Sequence, residues 1–266
     1  MIRLAFSPCP NDTFVFDAIV NNRVDLEGLH FDYQMHDVET LNHIAMEGGM
    51  DVIKVSYHAF LYLRQNFVLL DSGSALGSGN GPLLIAKQVY PAEALPDLTV
   101  AIPGEYTTAN LLMKLAYPEV KKKKIMLFSE IEQAIISGDV DAGVIIHENR
   151  FTYEKRGLKK IADLGEFWET MMECPIPLGG IIARKGLGYD RINKLNRILF
   201  RSVQYAMKHP YEAMPFVRAN AQEMDEEVMA QHIALYVNDY TLSLGTRGRV
   251  ALTYLVEIAK ERGLIA

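Results

Sequence analysis

Asp141-Ala142-Gly143-Val144-Ile145-Ile146-His147 decides how this chain is read. The apolar run is too short for a buried helix and is preceded by Gly138, so it predicts a strand buried on both faces. It has a twin earlier in the chain, Asp51-Val52-Ile53-Lys54-Val55-Ser56-Tyr57, which also follows a glycine stop, Gly48-Gly49. Working outward from the twins, the preceding order is the same. Ile2 to Phe6 and Leu98 to Ile102 predict strands, each followed by a turn, Ser7 to Asp12 and Pro103 to Tyr106. Helices are expected from near Thr13, with Asp12 as N-cap, and from Thr107-Thr108-Ala109-Asn110. Second strands near Leu29 to Tyr33 and Ile125 to Phe128 then lead into helices over Val38 to Glu47 and around Ile131 to Ile135, the latter with a Ser129-x-x-Glu132 capping box. Strands alternating with helices imply βαβ units and mainly parallel sheets. The repetition implies two such α/β lobes with a cleft between them.

Ligands of open α/β sheets sit beyond the carboxyl ends of the strands, the position of Ser56 and His147. Pro82 to Ala86 and Gly179 to Ala183 are short apolar strands beside glycine and are expected to cross between lobes. The expected division is a larger discontinuous lobe of residues 1–85 with 182–266 and a smaller lobe of 86–181. After it the chain is mostly helical, over Arg191 to Lys208, Glu212 to Ala219, Glu226 to Val237 and Arg247 to Arg262.

Composition narrows the function. Of 266 residues 49% are hydrophobic and 23% charged, and the net charge of −6 gives a nucleic-acid role no electrostatic basis. The basic run Lys121 to Lys124 reads as a solvated helix end or a loop before a strand, not as a phosphate-binding patch. The opening MIRLAFSPCPNDTF has no secretory character and no segment is long enough for membrane insertion, so a cytoplasmic protein is expected. Two cysteines, Cys9 and Cys174, support neither a disulfide framework nor a metal site, and no histidine pair has H-x-x-x-H spacing. No metal is expected. The glycine-rich stretch Gly73 to Gly81 runs into Pro82 and a strand rather than opening a helix, which argues against a dinucleotide site.

His147 is the leading candidate for chemistry. It stands at the end of a buried strand, and an imidazole with a pKa near ~6.5 suits proton transfer. Spacing alone fits a histidine that caps the strand through a backbone hydrogen bond at least as well. His58 follows Ser56-Tyr57 and is expected near the same cleft. The helix start at Thr107-Thr108-Ala109 suits a carboxylate, through free N–H groups assisted by threonine hydroxyls. Lys54, unusual within an apolar strand, either reaches a ligand carboxylate or lays its stem along the core with its amine in solvent. Cys9 has no histidine near it in sequence to activate it.

Ser7-Pro8-Cys9-Pro10-Asn11-Asp12-Thr13-Phe14, Lys54-Val55-Ser56-Tyr57, Thr107-Thr108-Ala109 and the run Ile145 to Tyr153 together resemble the 1,4-dihydroxy-6-naphthoate synthases of the futalosine route to menaquinone. The resemblance implies a periplasmic-binding-protein type II-like α/β fold used as a carbon–carbon lyase without a cofactor. It implies His147 as base, and Lys54, Val55, Ser56, Thr108 and Ala109 as substrate contacts. The implied substrate is a small-molecule carboxylate, cyclic dehypoxanthine futalosine, which loses a three-carbon fragment as the naphthoate forms. Two other readings remain: chorismate dehydratase of the same pathway, against which the SPCPNDTF opening argues, and a non-catalytic cytosolic solute-binding protein or sensor. The oligomeric state is left open.

Overall fold

The computed structural model describes residues 1–221 and 225–265. The chain begins β1 (Ile2–Phe6), α1 (Pro10–Val20), β2 (Phe31–Met35), α2 (Val38–Glu47), β3 (Val52–Ser56), α3 (Tyr57–Leu63), β4 (Phe67–Leu69) and β5 (Ala75–Gly77). It continues β6 (Leu83–Ala86), β7 (Val100–Ile102), α4 (Thr108–Ala116), β8 (Lys123–Ile125), α5 (Ile131–Ser137), β9 (Ala142–Ile145), α6 (Asn149–Thr152), β10 (Lys159–Asp163) and α7 (Leu164–Met172). It ends β11 (Ile176–Arg184), α8 (Tyr189–Lys208), α9 (Pro210–Asn220), α10 (Glu226–Tyr236), α11 (Asp239–Leu242) and α12 (Gly245–Glu261).

Two sheets result. The first has the order β2-β1-β3-β11-β4, with β5 also on β11; the second has the order β10-β6-β9-β7-β8. The repeat read from the sequence is real at this level. β1 lies parallel between β2 and β3, as β7 lies parallel between β8 and β9. The sheets are nevertheless mixed, because the chain enters each beside its last parallel strand from the opposite direction: β11 is antiparallel to β3 and β6 to β9. Leu83 to Ala86 pairs wholly within the second sheet and Gly179 to Ala183 within the first. The chain therefore passes between sheets at 78–82 and again at 173–175. The first passage is tight. A Cβ on Gly81 would stand 2.3 Å from the Gly165 Cα, and the Arg150 guanidinium binds the Gly81 carbonyl, the Gly79 carbonyl at 2.9 Å and Asp163 at 3.2 Å.

β3 and β9 are buried along their whole lengths, as strands covered on both faces must be. Helices α8 and α9 return to pack on α1, and Leu195, Ile198, Leu199 and Val203 of α8 join Leu4, Phe6, Phe16 and Ile19 in one core. Local differences from the sequence reading have simple causes. Helix α1 starts at Pro10, whose fixed φ suits the first helical position, with Cys9 as N-cap. Asp12 therefore turns inward instead of capping. The Ser129-x-x-Glu132 box does not form: a short 3₁₀ turn over Phe128–Glu130 precedes α5, and the buried Glu132 pairs with Arg156 at 3.1 Å. β8 lies earlier than expected, over Lys123–Ile125, leaving Ile125 exposed on an edge strand.

Candidate active site

The loops that leave the carboxyl ends of β1, β3, β7 and β9 meet around one cavity of about 690 Å³ of empty space, part of it open to solvent. Lys54, Val55, Ser56, Thr108, Ala109 and His147 all line it, so the structure brings these six expected site residues to one place. His58 is the exception. It is buried, and its Nδ1 is bound to the Thr107 carbonyl at 3.1 Å, outside the lining.

Each wall is held for a visible reason. At the end of β3, Asn42 of α2 takes the Ser56 N–H at 2.9 Å and gives its amide to Ser56 Oγ at 3.3 Å. In the second of these bonds the Ser56 hydroxyl is the acceptor. Lys54 meets Asp12 at 2.7 Å and the Gly73 carbonyl at 3.3 Å; the pair is almost fully buried, with side-chain exposures of 10% and 4%. Asp12 also accepts from Ser7 Oγ at 2.7 Å and from Asn11 Nδ2 at 2.9 Å. The lysine thus neither lies free in solvent nor waits unpaired for a carboxylate. It is one half of a satisfied ion pair at the cavity wall.

Helix α4 opens the opposite wall. Its cap, Thr107, accepts from the Asn110 N–H at 3.2 Å, and Leu111 N binds the Thr107 carbonyl. The N–H groups of Thr108 and Ala109 are the ones left without an intrahelical partner. The Thr108 hydroxyl donates to the Leu178 carbonyl at 2.6 Å and receives His58 N at 3.3 Å. An anion here would be held by backbone, not by that hydroxyl. The same contacts tie α4 to β11 and α3 of the first sheet, as does Tyr106 N donating to Glu39 of α2 at 3.1 Å.

His147 lies beyond the end of β9 with φ +57°, a left-handed conformation that costs a non-glycine residue about 1–2 kcal/mol. Strain of this kind gathers at functional positions. Its Nδ1 is 2.9 Å from Cys9 Sγ, a contact that spans the two sheets. Burial pushes the imidazole down to about 4, against the pull of Asp12. The ring is therefore a neutral, proton-accepting group throughout the neutral range. Phe128 packs beside it at 5.0 Å between ring centres.

Three lining residues were not legible in the sequence. His232 of α10 is fully buried, with Nε2 2.9 Å from Asn11 Oδ1 and Nδ1 3.7 Å from Glu148; its ring centre is 5.9 Å from that of His147. Asp12, which the sequence suggests as a helix cap, lines the cavity instead. Asn80, 1% exposed, has an amide with no protein partner on either atom. No local pattern marks a histidine in the middle of a C-terminal helix. Asn80, within a glycine-rich stretch leading to a strand, was the more findable.

Cys9, His147 and Glu148 place one donor atom each within 4.8 Å of one another, the one such group of potential metal ligands among the described residues. Sulfur and Nδ1 at 2.9 Å are hydrogen-bonded to each other; two ligands of one tetrahedral zinc stand about 3.5 Å apart. The arrangement is closer to a dyad than to a ready coordination site. Among the described residues no helix is long and apolar enough to cross a membrane.

Comparison with known proteins identifies the family and the fold. The model of the menaquinone biosynthesis family matches residues 2–261. A Thermus thermophilus protein named 1,4-dihydroxy-6-naphthoate synthase is 44% identical over 265 residues, covering 100% of this chain and 96% of its own length. A Streptomyces coelicolor protein of the same name is 43% identical over 270 residues, with 99% and 94% covered. A crystal structure of an Archaeoglobus fulgidus protein superposes with a TM-score of 0.94 at 35% identity over 99% of this chain and 98% of that one. The alkanesulfonate-binding protein of Xanthomonas axonopodis pv. citri bound to MOPS shares the fold alone, with a TM-score of 0.72 at 12% identity over 100% and 94% of the two chains. The architecture is thus the periplasmic-binding-protein fold that the sequence resemblance implied. On the full-length match and the identities, the chain belongs to the menaquinone biosynthesis family.

Proposed function

We propose that this chain is a 1,4-dihydroxy-6-naphthoate synthase, a carbon–carbon lyase that converts cyclic dehypoxanthine futalosine to the naphthoate with release of a three-carbon fragment, and that His147 is its base. One observation carries the catalytic part: the neutral His147 imidazole lines the cavity where the strand-end loops meet, with Nδ1 engaged by Cys9. The N–H groups of Thr108 and Ala109 take the substrate carboxylate, helped by the positive end of the α4 dipole. Ser56 and the Lys54–Asp12 pair face the remainder of the substrate. His147 removes a proton from the sugar-derived part, the carbon–carbon bond breaks, and aromatisation of the ring drives the step. Positioning and proton transfer supply the acceleration. We further take the two sheets as the centres of two lobes that move against each other, and the cytoplasm as the working compartment, where reducing conditions keep the free thiols Cys9 and Cys174 reduced.

Incubation of the purified protein with cyclic dehypoxanthine futalosine should yield the naphthoate, read by absorbance and mass. Formation of the same product after exhaustive EDTA treatment, without added nucleotide, is expected. Binding without turnover would favour a sensor, and turnover of chorismate instead would favour the dehydratase.

A further inference from the structure

We propose that Asn80 binds a pair of neighbouring hydroxyls on the substrate, its side-chain amide donating to one through Nδ2 and accepting from the other through Oδ1. Asn80 lines the cavity, is 1% exposed, and neither amide atom has a hydrogen-bond partner among the described residues. Buried amides are ordinarily paired, because a desolvated donor or acceptor left without a partner is destabilising. Leucine has nearly the same size and would avoid that cost, so packing of the wall does not account for an amide here. A ligand that enters the cavity removes the cost by supplying the partners.

The side chain is unpaired while the backbone around it is firmly held. Gly79 donates its N–H to Glu169 at 2.8 Å. The Arg150 guanidinium donates to the carbonyls of Gly79, at 2.9 Å, and Gly81, on either side of Asn80, and to Asp163 at 3.2 Å. Gly79 has φ +68°, a conformation that favours glycine. Gly77 leaves the room that the amide fills: a Cβ there would stand 2.8 Å from Asn80 Nδ2. A polar group on a support of this rigidity is what precise binding requires. Arg150 also belongs to the turn that His147 opens, its backbone N–H bound to the His147 carbonyl at 3.4 Å. One arginine therefore ties the loop of Asn80 to the loop of the proposed base. The amide itself selects the partner. It carries donors and an acceptor side by side, and a carboxylate or a ketone, which only accept, would leave Oδ1 unpaired. Neighbouring hydroxyls, as on a sugar, satisfy both atoms. The hydroxyls assigned to Asn80 are those of the sugar-derived part on which His147 acts, an assignment that rests on the function proposed above.

The test compares cyclic dehypoxanthine futalosine with an analogue in which one of the neighbouring hydroxyls is replaced by hydrogen, with binding read by calorimetry. Asn80→Leu keeps the size and removes both hydrogen-bonding atoms. It should melt at or above the wild-type temperature, because no hydrogen bond within the protein is lost. It should bind substrate roughly 10- to 100-fold more weakly, the scale of two neutral hydrogen bonds. The wild-type chain should bind the deoxy analogue roughly 3- to 10-fold more weakly than the substrate, and Asn80→Leu should bind the two alike. A structural role for Asn80 predicts the reverse, a lowered melting temperature with the preference for the intact substrate retained. Unchanged affinity in folded Asn80→Leu overturns the proposal, as does a preference for the hydroxylated compound that survives the substitution. Should Asn80→Leu fail to fold, Asn80→Ala is read in the same way. Loss of fold in both would show that the protein itself depends on the amide, and overturns the proposal too. The two failures are distinguishable. A wild-type chain that neither binds nor converts cyclic dehypoxanthine futalosine overturns the proposed function and the hydroxyl assignment with it. A wild-type chain that does both, matched by Asn80→Leu, overturns the role of Asn80 alone.

Discussion

His147 combines two costs that a structural strand cap would not need: a left-handed backbone and a ring whose charging is opposed by burial. As the base it should be replaceable without loss of fold. His147→Asn is expected to melt near the wild-type temperature, to bind substrate, and to lose turnover by about 10²–10⁴-fold; near-normal turnover in a folded variant would remove the assignment. The pH dependence carries its own sign. Charged and titratable groups facing the ring are Asp12 and Asp37, which favour its protonation, and Lys54, with Cys9, Glu148 and His232 also close by. Burial outweighs the acids, and the base is lost only as pH falls towards about 4. The acid limb of kcat/KM should lie near there, not near the ordinary ~6.5. At this scale the sequence was informative where a side chain interrupts a pattern, as His147 and Lys54 do. It was silent where the partner comes from far along the chain. Cys9 lacked a histidine in sequence and has one in space, and Lys54 finds Asp12 at a sequence separation of 42.

Helix α4 is an element whose position explains its role. Its first turn points into the cavity, and its uncapped N–H groups belong to Thr108 and Ala109. Two substitutions at one site separate backbone from side chain. Thr108→Val keeps the N–H and loses the hydroxyl that holds the Leu178 carbonyl. Thr108→Pro loses both, and the helix tolerates it because proline suits the first helical position and Thr107 already has the extended conformation that must precede proline. If the N–H holds a carboxylate, Thr108→Pro should weaken substrate binding beyond Thr108→Val by about 10-fold or more, the scale of a hydrogen bond to a charge. Equal dissociation constants by calorimetry would place the carboxylate elsewhere. Elements with strong local signals were readable from sequence, α2 between its Asp37 cap and Gly48 above all. Elements settled by tertiary contacts were not. Glu132 had the spacing of a capping box, yet Arg156 drew it inward.

For the molecule as a whole, the twin runs ending in Ser56 and His147 were enough to read two βαβ units. The antiparallel pairing of β6 and β11 was not readable, because it depends on where the chain passes between sheets. The folded protein also buries three histidines, His58, His147 and His232, all depressed chiefly by burial, the first two to about 4. The unfolded chain takes up their protons near ~6.5. Stability is therefore fully present above that value and declines as pH falls towards the folded values. Thermal melts from about pH 7.5 down to about pH 4.5 should show a falling transition temperature; a flat profile would mean that these rings charge without cost. Finally, the sulfur–imidazole contact joins the two sheets, and a contact of that kind exists only while they stand together. If the halves part, the proposed base loses its sulfur partner and its burial, so the contact would tie the orientation of the ring to the closed arrangement.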